Sequence, residues 1–172
     1  TTEELIYCLS DLLRYNLKQD NQLHTIGAEI NNIEKYLYIQ KIRFRNRLEY
    51  KIEVPEELKS YKIPNMVIQP IVENALIHGI APKRDGGKIN IYAEKYKEEI
   101  IISIIDNGNG FPEDVLLAIQ QKKSKNDSGL GFRNTDNRLK QYYGEQYGLK
   151  IVKSDYTGST VTITIPTQPI AR

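Results

Sequence analysis

The sequence predicts an α/β (α+β) fold: a two-layer sandwich in which helices back a mixed, mainly antiparallel sheet, preceded by a helical segment. Three observations carry this expectation. Apolar residues recur at helical spacing as far as Arg43. From Arg47 they alternate with polar ones, the period of a half-buried strand. Two later pairs of consecutive strand-like runs are each joined by a short turn, as in antiparallel hairpins. A sheet backed by helices on one face leaves a crevice between the layers where a ligand can sit.

Glu3 to about Lys18 reads as a helix with one apolar stripe of Leu5, Cys8, Leu9, Leu12 and Leu13. Such a stripe serves either packing on its own domain or pairing with another subunit, and the pattern alone leaves both open. The polar stretch Gln19 to His24 interrupts it, so residues 1–20 are expected to form a separate helical segment and 21–172 one domain. A second helix runs from about Gly27 to Arg43, with Ile30, Ile33, Leu37 and Ile39 on its buried side. The basic cluster Lys41, Arg43, Arg45 and Arg47 at its end complements the helix dipole. Leu48, Tyr50, Ile52 and Val54 form a strand closed by Pro55. Pro64 is expected to open an apolar helix from Asn65 to about Ile80, kinked at Pro70 and stopped at Gly79. The strands Lys88–Tyr96 and Glu99–Ile105 make a hairpin. Pro112–Gln121 is a short helix, Gln121–Ser128 a polar lysine-rich segment, and Phe132–Tyr143 a helix ended by Gly144. Leu149–Ser154 and Thr160–Ile165 complete the sheet; in the last, Thr160, Thr162 and Thr164 alternate with Val161, Ile163 and Ile165, so one face is buried.

Composition narrows the function classes. The 172 residues, 40% of them hydrophobic, suffice for one sizeable core plus an appendage. Basic residues number 24 and acidic 22, and a net charge of +2 argues against a general nucleic-acid binder while leaving room for a local phosphate-binding patch. A single cysteine, Cys8, excludes an intrachain disulfide. No apolar run approaches the roughly 18 residues of a membrane span, and no signal peptide is visible. The chain starts inside a helical pattern, so a piece of a longer protein is expected.

Three segments carry chemistry. Glu73-Asn74-Ala75-Leu76-Ile77-His78-Gly79 places Asn74 and His78 four apart on one helix face, and an amide oxygen is a hard ligand suited to Mg²⁺. Asp106-Asn107-Gly108-Asn109-Gly110 leaves an apolar strand directly, with a carboxylate at the strand's end that could accept from a base's exocyclic amine. Its glycines permit close backbone approach. Ser128-Gly129-Leu130-Gly131-Phe132-Arg133-Asn134 opens a helix whose first N–H groups suit an anion, and Lys122, Lys123 and Lys125 precede it. Each segment alone is compatible with an ordinary helix end, turn or loop. The chain lacks the P-loop pattern and the strand–G-x-G-x-x-G–helix order of dinucleotide folds.

In this order the segments resemble the N box and two glycine boxes of the GHKL ATPases, which include gyrase, Hsp90, MutL and the histidine kinases. Leu9-Ser10-Asp11-Leu12-Leu13-Arg14-Tyr15, the run from Ile33 to Phe44, and Gln69-Pro70-Ile71-Val72-Glu73-Asn74-Ala75 are similar to the LytS-like sensor kinases. The resemblance implies the Bergerat ATP-binding fold, ATP and Mg²⁺ as ligands, and a cytoplasmic domain of a membrane-anchored sensor that dimerises through its helical region and passes phosphate to a response regulator. It assigns Mg²⁺ to Asn74 and the adenine amine to Asp106. Gly108 and Gly110 would shape the base pocket, and Gly129 and Gly131, with Phe132, Arg133, Lys123 and Lys125, would close over the phosphates. Arg138 would be structural or phosphate-facing. In Gly158-Ser159-Thr160 a hydroxyl would support the aspartate, with Thr160 as the site residue.

Three departures shape the expected activity. The position four before Asn74, where gyrase-like members carry a catalytic Glu, is Pro70, which cannot activate water; Glu73 is the adjacent candidate. The lysine many kinases carry three residues after the Asn is Ile77, leaving phosphate charge to His78, the lid lysines or Arg133. Only His24 and His78 are present, and neither lies in an N-P-H-F-like motif, so the chain is expected to bind ATP without phosphorylating itself. The alternatives are a stand-alone ATPase or protein-serine kinase of the same fold, as in anti-sigma regulators, and a non-catalytic interaction module.

Overall fold

The computed structural model describes residues 2–17, 23–120 and 129–168. Helix α1 (Thr2–Leu17) lies along α2 (Ile26–Phe44), and between them is the short strand β1 (Leu23–Thr25). Thr25 caps α2, its side chain accepting from the Ala28 N–H at 3.1 Å. Asp11 pairs with Lys35, and the Tyr38 hydroxyl donates to Glu4 at 3.3 Å, tying the two helices together. The apolar stripe of α1 splits. Leu12 is buried and Leu5 and Cys8 are half-buried, while Leu9 and Leu13 face solvent beside Ile6 and Tyr7.

The five-stranded sheet has the order β2 (Leu48–Glu53), β4 (Gly87–Tyr96), β5 (Glu99–Asp106), β7 (Gly158–Pro166), β6 (Gly148–Asp155). Only β2 and β4 run parallel; the other pairings are antiparallel, as expected. Alternation sends Ile89, Ile91, Ile100, Ile102, Ile104, Val161, Ile163 and Ile165 to one face, all essentially inaccessible. Against that face pack Ile30, Ile33 and Leu37 of α2, Ile71 and Val72 of α3 (Gln69–Asn74), and Phe132, Leu139 and Tyr143 of α5 (Leu130–Tyr143). Helix α4 (Glu113–Gln120) follows β5.

The helix expected over Asn65–Ile80 is shorter and differently bounded. Lys62–Pro64 is strand β3, antiparallel to β1, so Pro64 ends a strand. Met66 sits at φ 55°, outside the helical region, and helix begins only at Gln69. Pro70 therefore occupies the first turn, where its missing N–H costs nothing, and makes no kink. From Ala75 to Ile80 the helix widens into a π turn, with the Ala81 N–H bonded to the Leu76 carbonyl at 2.8 Å. Gly79 lies inside this turn and does not terminate it. His24, expected in a polar loop, is the middle residue of β1 opposite Ile63. Lys123, Lys125 and the rest of the lysine-rich segment lie outside the described residues.

Candidate functional site

A crevice of about 260 Å³ separates the helix after β3 from the start of α5. Asn74 and His78 form one wall. Gly129, Leu130, Gly131 and Phe132 form the other, and Phe111, Pro112, Val115 and Ile119 close the apolar end. The i, i+4 spacing does what the sequence suggested: both polar side chains face the same space. Gly129 caps α5 at φ 77°, a left-handed conformation that glycine adopts without strain, and the Arg133 N–H bonds its carbonyl at 3.1 Å. The preceding N–H groups of α5 lack intrahelical acceptors, as at any helix start. A Cβ at Gly131 would meet nothing within 4 Å, so this wall borders open space. Phe111 meets Phe132 edge-on at 6.4 Å, joining the turn after β5 to α5. A larger depression, about 690 Å³, lies on the outer sheet face around Tyr92, Ile101 and Ile105, and it contains none of the motif residues.

Asp106, Gly108 and Gly110 are not among the residues lining the crevice; Asp106 is 6% exposed, at the end of β5, and lies against Gly79. Its Oδ1 accepts from the Gly108 N–H at 2.8 Å, and its Oδ2 accepts from the Ser159 hydroxyl. Of the two hydroxyls in the 158–160 segment, Ser159 reaches the carboxylate. Thr160 lies on the other side of β7, in phase with Thr162 and Thr164. Gly108 packs directly on Gly79: a Cβ there would come within 2.4 Å of the Gly79 backbone. The Asn109 N–H completes the contact by donating to the Gly79 carbonyl at 3.1 Å. Gly110 sits against the Asp155 carbonyl, and the Phe111 N–H donates to the Ser154 hydroxyl at 2.7 Å. The D-x-G-x-G turn is thus clamped between the π turn and the β6–β7 hairpin. Gly79 is a member of this clamp that sequence reasoning passed over as a helix stop.

Not every candidate converges. Glu73 is absent from the crevice wall; its carboxylate accepts from Gln69 Nε2, one turn back on α3, at 2.8 Å, and its charge reaches Tyr36 of α2. Burial, with help from the Glu73 charge, pushes the Tyr36 phenol up to about 12. Arg133 is not on the crevice wall but lines an adjoining groove, which shares Ile119, Leu130 and Phe132 with the crevice, and its Nε is buried without a partner among the described residues. Arg138 Nη2 donates to the Asn65 carbonyl at 2.6 Å. Sequence reasoning also missed Glu29 and Asn32, both buried on α2. Glu29 Oε1 accepts from the N–H groups of Ile68 and Gln69 at 2.7 and 3.2 Å, and Asn32 Nδ2 donates to Gln69 Oε1 at 2.7 Å. Burial pushes the Glu29 carboxyl up to about 7, against the pull of those N–H groups and of Arg138.

The chain matches two family models, one described as histidine kinase over residues 1–48 and one described as histidine kinase-, DNA gyrase B-, and HSP90-like ATPase over residues 62–169. It is 33% identical over 163 residues to the sensor histidine kinase BtsS of Escherichia coli (strain K12), covering 95% of this chain and 27% of that protein. It is 31% identical over 170 residues to the sensor protein LytS of Bacillus subtilis (strain 168), covering 97% and 29%. The chain therefore spans little more than a quarter of these curated relatives. The histidine kinase domain of the blue-light activated histidine kinase EL346 from Erythrobacter litoralis superposes with a TM-score of 0.62 at 16% identity, over 96% of this chain and 78% of that one, which bears out the expected fold. The LytS-like resemblance is borne out by the relatives themselves.

Proposed function

Because the chain belongs to the family of histidine kinase-, DNA gyrase B- and HSP90-like ATPases, we propose that it is the ATP-binding catalytic domain of a two-component sensor histidine kinase. It transfers the γ-phosphoryl group of ATP to a histidine outside this chain, and from there the group passes to a response-regulator aspartate. The observation that carries the reading is the convergence of Asn74, His78, Gly129 and Gly131 on one crevice, with Asp106 buried against Gly79, the residue after His78.

In this reading the α5 N–H groups and the open space at Gly131 receive the phosphates, and His78 contributes charge where Ile77 replaces a lysine. The buried Asp106, oriented by Gly108 and Ser159, takes the adenine amine. The Asn74 amide holds Mg²⁺, which neutralises phosphate charge when bound. Catalysis comes from positioning and charge neutralisation. Pro70 stands where a hydrolytic base would, Glu73 is bonded back to Gln69, and among the described residues no carboxylate lines the crevice to activate water. That favours a kinase over a stand-alone ATPase. Residues 1–20 belong to the helical dimerisation region, and residues 21–172 form the catalytic domain. The solvent-facing Ile6, Leu9 and Leu13 of α1 suit a homodimer contact. No helix among the described residues is long and apolar enough to cross a membrane; the domain acts on the cytoplasmic side.

The test is an ATP titration with and without Mg²⁺. The unmodified chain should bind ATP more tightly with Mg²⁺, and Asn74→Ala should lose that increment while unfolding at the same temperature. An unchanged Mg²⁺ response in Asn74→Ala removes the assignment.

A further inference from the structure

We propose that Asn32 and Gln69, anchored by Glu29, are positioning residues for Asn74: a polar seam through which α2 sets where the metal-holding amide stands. The proposal rests on the reading of Asn74 given above and adds to it residues that were not assigned to the site.

Three polar side chains are buried where α2 meets α3: Glu29 at 0%, Asn32 at 4% and Gln69 at 3% exposure. Groups so deep are costly unless bonded, and each of the three side chains has a bond across the interface, while Glu29 Oε2 has no partner among the described residues. Glu29 Oε1 takes the backbone N–H groups of Ile68 and Gln69, fixing the start of α3 on α2. Asn32 Nδ2 donates to Gln69 Oε1 at 2.7 Å. With its oxygen engaged, Gln69 points Nε2 at Glu73, 2.8 Å from Oε1. The chain of contacts ends one residue before Asn74. Glu73 is bonded back to Gln69 and Asn74 faces the crevice, so a shift of one carries the other. From the opposite side Arg138 on α5 bonds the Asn65 carbonyl and faces Glu29, which brings the helix bearing Gly129 and Gly131 into the same frame.

Apolar side chains of equal shape would fill this space with little loss of stability. They would not specify one register, because apolar contacts are non-directional. Donor-to-acceptor bonds of fixed sense do specify it. The seam therefore acts on geometry at the metal ligand, in the manner of the outer partners that orient metal-binding side chains.

The experiment measures ATP affinity with and without Mg²⁺ by calorimetry for the unmodified chain, Asn32→Leu, Gln69→Met and the variant carrying both. The double variant removes both partners of the buried bond, so it keeps the fold even where a single change does not; thermal unfolding checks this. Metal-free affinity should stay within about twofold, and the Mg²⁺ increment should fall by about tenfold or more. An intact Mg²⁺ increment in the folded double variant overturns the proposal. So does a proportional loss of metal-free and metal-dependent affinity, which marks a merely structural role. If Asn74→Ala itself keeps the full Mg²⁺ response, the underlying reading fails. If Asn74→Ala loses the response and the double variant keeps it, the seam alone fails.

Discussion

Gly108→Ala tests the packing of the D-x-G-x-G turn on the π turn. The added Cβ would stand 2.4 Å from both Cα and C of Gly79 and 2.6 Å from its carbonyl oxygen. Carbon atoms in contact sit about 3.5–4.0 Å apart, so the turn and the π turn must separate by more than ~1 Å. The obstacle is backbone, which has no rotamer to offer. Overpacking of this kind costs about 1–3 kcal/mol, and the stiffer unfolded chain returns about 0.4–1 kcal/mol if its backbone suits alanine. A net loss of about 1–2 kcal/mol lowers the melting temperature by about 2–8 °C at this chain length. Gly79→Ala is the contrasting change. Its Cβ meets Asp106 Oδ1 at 3.0 Å and the Gly108 Cα at 3.6 Å, so the carboxylate moves by a few tenths of an ångström and the backbone stays. Alanine's helical preference of about 0.8–1 kcal/mol over glycine offsets that tightness. Gly79→Ala should melt at or above the temperature of the unmodified chain and yet bind ATP more weakly, because Asp106 has moved. Circular dichroism melts paired with nucleotide titrations read both effects. A Gly108→Ala protein that melts within 1 °C of the original, a bound taken from about half the smallest shift worked above, with unchanged ATP affinity, would refute the packing argument.

Ser159→Ala leaves one oxygen of the buried Asp106 carboxylate without its donor, and hydrogen bonds to charged groups are worth about 1.5–3 kcal/mol; urea unfolding should show a loss of that size, with Thr160→Val within about 0.5 kcal/mol of the original. Equal effects at 159 and 160 would contradict the assignment of the hydroxyl. The Glu29 carboxyl lies near 7 in the fold against a usual 4.5, so the native state binds the extra proton between those values. Stability therefore falls as pH rises from 4.5 to 7, by about 3 kcal/mol, and is level above. Urea midpoints across that range should show the slope and Glu29→Gln should flatten it; a slope that survives the substitution belongs to other groups. Leu9→Asp with Leu13→Asp, on the exposed face of α1, should convert a concentration-dependent dimer to monomer in sedimentation experiments. A chain that is monomeric before substitution at high concentration would exclude that face as the contact.

Much of the fold was legible because local patterns dictated it. Polar and apolar residues alternate without a break from Thr160 to Ile165 in β7, so its faces follow from sequence alone, whereas β5 is apolar at nearly every position and packing decides which of its faces is buried. The helix over 69–80 was legible in kind and misplaced at its start, because β3 and its partner β1 are three residues each and owe their existence to pairing across the chain. Buried Glu29 and Asn32 read as an ordinary solvated face of α2, and only the meeting with α3 makes them interior. Ser159 was within reach: if Thr160, Thr162 and Thr164 face out, the residue in phase with Val161, Ile163 and Ile165 faces in, toward Asp106.

The glycines divide along the same line. Gly110 and Gly129 adopt positive φ, a demand their own turns impose, and a turn pattern reveals it. Gly79 and Gly108 have no such requirement. Gly108 must lack a side chain because the Gly79 backbone occupies the space, whereas a side chain at Gly79 would first press on Asp106 Oδ1, at 3.0 Å. A pairwise constraint between a helix and a turn far apart in sequence leaves no mark on either segment alone. The motif therefore identified Gly108, which the backbone packing requires, and passed over Gly79, which matters through its contact with Asp106.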